Sequence, residues 1–322
     1  MGEFDLIRRF FTRPTPKAAL GVGDDCALLQ PTVGLQTAIS SDMLVAGRHF
    51  FADVDPRTLG HKALAVNLSD LAACGATPEA FTLALALPQV DEAWLQGFSD
   101  GLLALADAYG CELIGGDTTR GPLTICITVF GEVPRGQALL RSGAQPGDDI
   151  FVSGTLGDAR LALEARRGHL SLPDRALQAA CARMDTPSPR VELGQSLRGI
   201  AHAAADISDG LVGDLGHILQ QSGVGASLLA PVLSRLMLVE RLGWQAPPAQ
   251  TLEWVLGGGD DYELVFTAPA QARSIVQAAG LACGVPVTRI GRIDAEPGLR
   301  VLDAAGQPVD AQWQAFDHFT LP

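Results

Sequence analysis

The chain has 322 residues, 47% of them hydrophobic and 18% charged, a composition that builds packed cores over a length sufficient for two domains. Its net charge of −13 excludes a nucleic-acid footprint, which needs a basic face, and no apolar run approaches the roughly 18 residues of a membrane span. Six cysteines stand singly, and the acidic start Met1-Gly2-Glu3-Phe4-Asp5 matches no secretory leader, so the expectation is a cytoplasmic protein with reduced thiols.

Phe4, Ile7, Phe10 and Phe11 mark a short amphipathic helix closed by Arg13-Pro14-Thr15-Pro16, and Gly21 to Leu29 carries a first acidic turn. Gln36 to Ser41 reads as a strand ending in Ser40-Ser41-Asp42, and Pro56 to Gly75 has helical periodicity. Phe81 to Leu87 alternates as a strand does, and Glu92 to Tyr109 is a helix with Trp94, Phe98, Leu102 and Leu105 inward. Leu113 and Ile114 read as the end of a buried strand that breaks into Gly115-Gly116-Asp117-Thr118-Thr119-Arg120-Gly121. Leu123 to Val133 is the clearest strand, and Ala144 to Asp149 is a connector whose Asp148 and Asp149 are turn residues. Domains of 1–140 and 141–322 follow.

In the second half, strand 150–152 is followed by helices near 158–167, 173–184 and 190–199. Ala201 to Ala205 runs into Asp206-Ile207-Ser208-Asp209-Gly210 and a helix from Leu211 to Gln220. A strand near 225–229, helices near 231–241 and 249–256, and a strand at 263–267 come next, the last after Gly257-Gly258-Gly259-Asp260-Asp261-Tyr262. Helix 269–280 and strands near 286–292 and 299–303 complete an α/β or α+β chain.

Lys17 and Lys62 are the only lysines, and neither follows a phosphate-loop glycine pattern, which excludes a Walker site and a protein-kinase site. Gly21-Val22-Gly23 lacks the third glycine of a dinucleotide fingerprint. Aspartates recur instead at transition points: Asp24 and Asp25, Asp42, Asp70, Asp117, Asp206 and Asp209, Asp260 and Asp261. Taken singly, each has an ordinary reading as a turn or helix-cap residue. As a set, converging carboxylates need neutralising cations, and with two lysines available Mg2+ suits them, binding through oxygen and bringing phosphates with it. No His/Cys cluster has zinc-ligand spacing.

Six ordered stretches carry a resemblance. They are Gly23-Asp24-Asp25-Cys26-Ala27, Ser41-Asp42 through Gly47 to His49-Phe50, Lys62 through Asn67 to Asp70, Gly115-Gly116-Asp117-Thr118-Thr119-Arg120-Gly121, Asp206-Ile207-Ser208-Asp209-Gly210 and Asp261-Tyr262-Glu263-Leu264. Together they resemble the thiamine-monophosphate kinases, relatives of the aminoimidazole ribonucleotide and selenophosphate synthetases. The resemblance implies a two-domain synthetase-like fold. An amino-terminal α/β domain would form a homodimer through its sheet, and a larger carboxy-terminal α/β domain would complete the substrate site. It implies ATP as co-substrate, several Mg2+ ions, and phosphorylation of thiamine monophosphate to thiamine diphosphate.

Carried over motif by motif, Asp25, Ser40, Ser41, Asp42, Asp70, Asp117, Asp206 and Asp209 would hold the magnesium ions. Tyr109, Gly116, Asp117, Arg141 and Ser208 would meet ATP, and His49, Asp260 and Phe316 the thiamine substrate. Asp260 stands where the family commonly has glutamate, one methylene shorter with the charge kept. A phosphomonoester acceptor needs no general base, and none is conspicuous, so transfer would be direct. The alternatives are a related enzyme acting on another acceptor and a non-catalytic nucleotide-binding dimer. Against selenophosphate synthesis, Lys17 has no cysteine partner before Cys26.

Overall fold

The computed structural model describes residues 2–316. Its chain divides into one unit of residues up to Leu71 with Ala76–Gly136, and a second of Ala72–Gly75 with the chain from Gln137 onward. The first carries α1 (Glu3–Leu6), continued by a π-helical turn over Ile7–Phe11, then β1 (Leu35–Val45) and α2 (Pro56–Cys74). After them come β2 (Thr77–Leu87), α3 (Glu92–Tyr109), β3 (Glu112–Arg120) and β4 (Thr124–Pro134). The strands lie in the order β1-β4-β2-β3, antiparallel except for β2 beside β3, the pair joined by α3.

Strict alternation in β4 buries Ile125, Ile127, Val129 and Val133 on one face. Leu64, Leu68 and Leu71 of α2 and Leu95, Phe98 and Leu102 of α3 are buried in the same unit's core. Phe98 stacks on Trp94 at 5.1 Å and meets Phe11 edge-on at 6.4 Å, which ties the amino-terminal turn to α3. Asp91 caps α3 by accepting from Ala93 N and Trp94 N, and Gly110 ends it in the left-handed region. The opposite sheet face is exposed at Ile39 and Met43.

The expected end of a strand at Ile114 is not observed. β3 continues through the glycines to Arg120, because Gly116 has no Cβ to strike the neighbouring strand; a methyl there would lie 1.8 Å from Leu83 O. Register shifts at this point: Leu113 pairs with Phe81 and Gly115 with Thr82, so Ile114 is a bulge and both Leu113 and Ile114 are buried.

The second unit contains β5 (Asp149–Ser153), α4 (Asp158–Arg166), α5 (Asp174–Asp185), α6 (Val191–Ser196), β6 (Ala203–Asp206) and α7 (Leu211–Ser222). It continues with β7 (Gly225–Leu229), α8 (Ala230–Leu233), α9 (Leu238–Arg241) and α10 (Pro248–Gly257). The last elements are β8 (Leu264–Ala268), α11 (Arg273–Ala282), β9 (Val287–Asp294) and β10 (Gly298–Leu302). Its sheet runs β10-β7-β9-β5-β8-β6. Every residue of β5 and β8 is buried, and Phe151 stacks on Phe266 at 5.4 Å between them. The helix expected near 231–241 is instead two short pieces, because the buried Asp158 carboxylate takes the N–H groups of Leu238 and Val239 and starts a new turn. Asp149 is no turn residue either: it opens β5, buried, and accepts from Arg273 and Arg289.

Candidate functional site

In the first unit a two-residue step on a strand meets a three-residue step on a helix. Ser40 and Asp42 project from the helix-covered face of β1, and Asn67 and Asp70 lie one turn apart on α2. Ser40 Oγ donates to Asp70 Oδ2 at 2.5 Å, and the Asp42 N–H donates to Asn67 Oδ1 at 3.0 Å. β1 is an edge strand, so this outward N–H finds a side chain where an inner strand would find another strand. Asn67 was not among the expected site residues, although it lies within one of the motifs. Its own amide donates to Ala63 O at 3.0 Å, which fixes the orientation of the oxygen.

Other expected residues lie elsewhere in this unit. Asp25 is exposed in a loop whose N–H bonds the Asp24 carboxylate at 2.8 Å. Ser41 faces the open side of the sheet and bonds Ile127 O and Thr128 Oγ1, both at 3.0 Å, so its hydroxyl is not gathered with Ser40 and Asp70. Asp117 pairs in register with Ala84 and is exposed on that same open side, next to Gly116 with its φ of 148°. Tyr109 is half-buried at the end of α3. His49 is half-buried in the turn after β1, where Nδ1 accepts from Val45 N at 3.0 Å; in the neutral ring the proton then sits on Nε2.

The second unit brings three distant segments together. Asp206, buried, ends β6, and Ser208 and Asp209 follow in the turn before α7. Asp260 N donates to Ser208 O at 2.7 Å, and Tyr262 N to Ile207 O at 2.9 Å, which lays the segment after α10 against that turn. From the carboxy-terminal tail, Phe316 N donates to Asp209 O at 2.9 Å, and its ring is 44% exposed. Asp206, Ser208, Asp209, Asp260 and Phe316 therefore share one region. Arg141 is exposed, with its carbonyl accepting from Ser222 Oγ at 3.2 Å. His318 and Phe319, close to Phe316 in sequence, lie outside the described residues.

Two parts of this region were missed from the sequence. Asp214, on the first turn of α7, accepts from Ser208 N at 3.0 Å and Asp209 N at 3.1 Å and so fixes the turn. Burial, then the Asp209 charge, pushes its carboxyl up to about 7 against the pull of these N–H groups and of Arg141. Behind Asp260, buried Glu263 accepts from Ser153, Arg183 and Arg190. Single residues scattered from Ser153 to Glu263, all but Glu263 outside the six stretches, carry no local pattern that announces such a network.

Among the described residues no three acidic, histidine or cysteine side chains are gathered for a metal ion. Magnesium asks for less, typically one or two carboxylates with phosphate oxygens and water completing the shell. Ser40 with Asp42 and Asp70, and Asp206 with Asp209, offer oxygen donors only, which fits a hard cation.

Comparison with known proteins covers both units. Residues 23–133 match the amino-terminal domain of AIR synthase related proteins, and 145–304 match the carboxy-terminal domain. The chain is 48% identical over 325 residues to the thiamine-monophosphate kinase of Escherichia coli K12, covering 100% of this chain and 99% of that one. A crystal structure of thiamine-monophosphate kinase from Stenotrophomonas maltophilia K279a superposes with a TM-score of 0.84 at 44% identity, covering 95% and 96% of the two chains. A structure of AaThiL complexed with AMPPCP and TMP gives a TM-score of 0.76 at 30% identity, over 90% and 89%.

Proposed function

This chain belongs to the thiamine-monophosphate kinases of the AIR synthase related family, and on that footing we infer that it moves the γ-phosphoryl group of ATP onto thiamine monophosphate to make thiamine diphosphate. The observation that carries the reading is full-length identity to such kinases, with a relative of the same fold complexed with AMPPCP and TMP.

The acceptor is a phosphomonoester whose second pKa is about 6, so its attacking oxygen is largely ionised at neutral pH and needs no base. The obstacle is repulsion between two polyanions. Bound magnesium would supply charge neutralisation and in-line alignment. Asp25, Ser40, Asp42, Asp70 and Asp117, and as a separate group Asp206 and Asp209, are the oxygen donors we assign to it. The hydroxyl of Ser41 lies on the other sheet face, the one that also carries Asp117, so these two side chains form a donor group apart from Ser40, Asp42 and Asp70. Gly116, whose missing side chain makes room for Leu83 O, would meet the nucleotide through its own main chain, and Ser208, Arg141 and Tyr109 complete the nucleotide contacts. His49, through Nε2–H, with Asp260 and Phe316, receives the thiamine substrate. Transfer is direct, without a phosphoenzyme.

A homodimer built on the open face of the first sheet accompanies this reading. Ile39 and Met43 are 64% and 55% exposed there, beside Ala84, Cys126 and Phe130, and this patch suits a second copy. Asp117 and Ser41 lie on the same face, which would bring nucleotide contacts near the junction. All six cysteines are free thiols, which suits a reducing compartment, and we place the enzyme in the cytoplasm. No helix among the described residues is long and apolar enough to cross a membrane.

The test is ADP release from Mg-ATP with thiamine monophosphate, beside thiamine and aminoimidazole-pathway substrates. Stimulation by thiamine monophosphate alone, with thiamine diphosphate formed, supports the reading. ATP binding without turnover on any acceptor would return the chain to a sensor role.

A further inference from the structure

The segment that presents Asp260 is built against local preference. Asp260 and Tyr262 have φ of 61° and 50°, two non-glycine residues in the left-handed region within three positions. Each such residue costs on the order of 1 kcal/mol or more and persists only where its surroundings over-determine it. Asp261 and Glu263 alternate with them and point inward, 1% and 0% exposed.

Those inward side chains meet an uncommon investment of buried charge. The Asp261 carboxylate accepts from Gly157 N at 3.0 and 3.1 Å. Glu263 accepts from Ser153 Oγ at 2.5 Å, from Arg183 Nη2 at 2.7 Å, and from Arg190 Nε and Nη2 at 2.6 and 2.5 Å. Arg183 Nη2 also donates to Asp261 O at 3.0 Å, so one guanidinium holds main chain and side chain on either side of Tyr262. The fit is tight: Gly154 lies so near that a methyl there would come 2.0 Å from Glu263 Oε1. For stability alone, apolar residues of similar volume do as well as a buried ion cluster, whereas directional bonds fix a main-chain path.

We propose that Arg183 is a positioning residue for the acceptor end of the reaction: by bonding Asp261 O and Glu263 it sets the main-chain path that aims Asp260 at thiamine monophosphate. The role rests on the reading that Asp260 contacts the acceptor. It also gives the shortened acid a rationale. A side chain one methylene shorter than glutamate has less reach to correct a misplaced backbone, so its anchoring must be stiff.

Lysine at position 183 keeps the charge and removes the Nη2 atom that donates to both acceptors. The experiment measures KM separately for thiamine monophosphate and for ATP in Arg183→Lys, Asp260→Ala and the double variant, with thermal unfolding of each. The expected result is a rise of about tenfold or more in KM for thiamine monophosphate in both single variants, with KM for ATP within about twofold of the parent, since small misplacements of positioned groups have effects of this size. The double variant should match Asp260→Ala, because Arg183 acts through Asp260. Independent, multiplying effects in the double variant, or an equal rise in both KM values, would overturn the positioning role and leave Arg183 a fold-stabilising residue. If Arg183→Lys leaves both KM values unchanged while Asp260→Ala does not, positioning alone fails. If Asp260→Ala has no effect on KM for thiamine monophosphate, the acceptor assignment fails and the positioning role with it. Should Arg183→Lys not fold, Arg190→Lys removes one fork from the same carboxylate and carries the same outcomes.

Discussion

At the residue scale, the proposed chemistry rests on carboxylates whose loss should be felt in turnover and not in folding. Asp42→Asn and Asp117→Asn each keep shape and remove charge. Each is expected to lower kcat by about two orders of magnitude or more, the scale of removing one transition-state stabilising group, and to raise the magnesium concentration needed for half-maximal rate. Unchanged circular dichroism with near-parental rates in both would sink the proposed donor set. Gly116 makes a different claim, since Ala there meets Leu83 O at 1.8 Å in a backbone conformation that side chains rarely adopt. Gly116→Ala should cost about 2–3 kcal/mol of stability, measured by denaturant unfolding. Sequence singled out the carboxylates because aspartate beside glycine or serine recurs along the chain, although Asp42 and Asp117 stand inside strands and Asp70 in a helix. Asn67 and Arg183 were not singled out, since their value lies in bonds to main chain far along the sequence, Asp42 for Asn67 and Asp261 for Arg183; Asp214 bonds main chain only five and six residues back, but reads in sequence as an ordinary first-turn helix acid.

At the scale of elements, periodicity located most boundaries, and the departures have definite causes. Glu92–Tyr109 is found as expected because its cap, its apolar spacing and its terminal glycine agree. β3 overran its expected end because two glycines read as a stop, when Gly116 in fact relieves crowding against β2. The turn residue that proved to be a strand residue, Asp149, supplies a pH test. Burial by itself raises its carboxyl; the bonds from Arg273 and Arg289 outweigh that and hold it below 3.8. A carboxylate lowered in the folded state adds stability that is present above its unfolded pKa, about 4, and is lost as pH falls through the folded value. Asp149→Asn should therefore melt below the parent at pH 6–7, with the gap closing under about pH 4. A gap of constant size from pH 3 to 7 would mean that the ion pairs contribute nothing.

At the scale of the whole molecule, association remains to be measured. The parent should sediment at about twice 33.7 kDa, and Ile39→Asp with Met43→Asp, which put charge into the open face, should sediment as a monomer. A parent that stays monomeric at micromolar concentration would remove the homodimer from the reading. Ile114 has a further consequence, in the currency of insertions and deletions. Standing outside the pairing count, it lets Leu113 face Phe81 and Gly115 face Thr82, which keeps Asp117 on the Ala84 side. Deleting Ile114 should therefore close the ladder into regular pairing, with Asp117 still opposite Ala84 and Thr118 still opposite Leu85. A one-codon loss here should cost the burial of Ile114 yet keep the face of Asp117, whereas one residue added between Gly115 and Asp117, inside the paired run, should turn Asp117 inward; expression and turnover of the two variants would register the contrast.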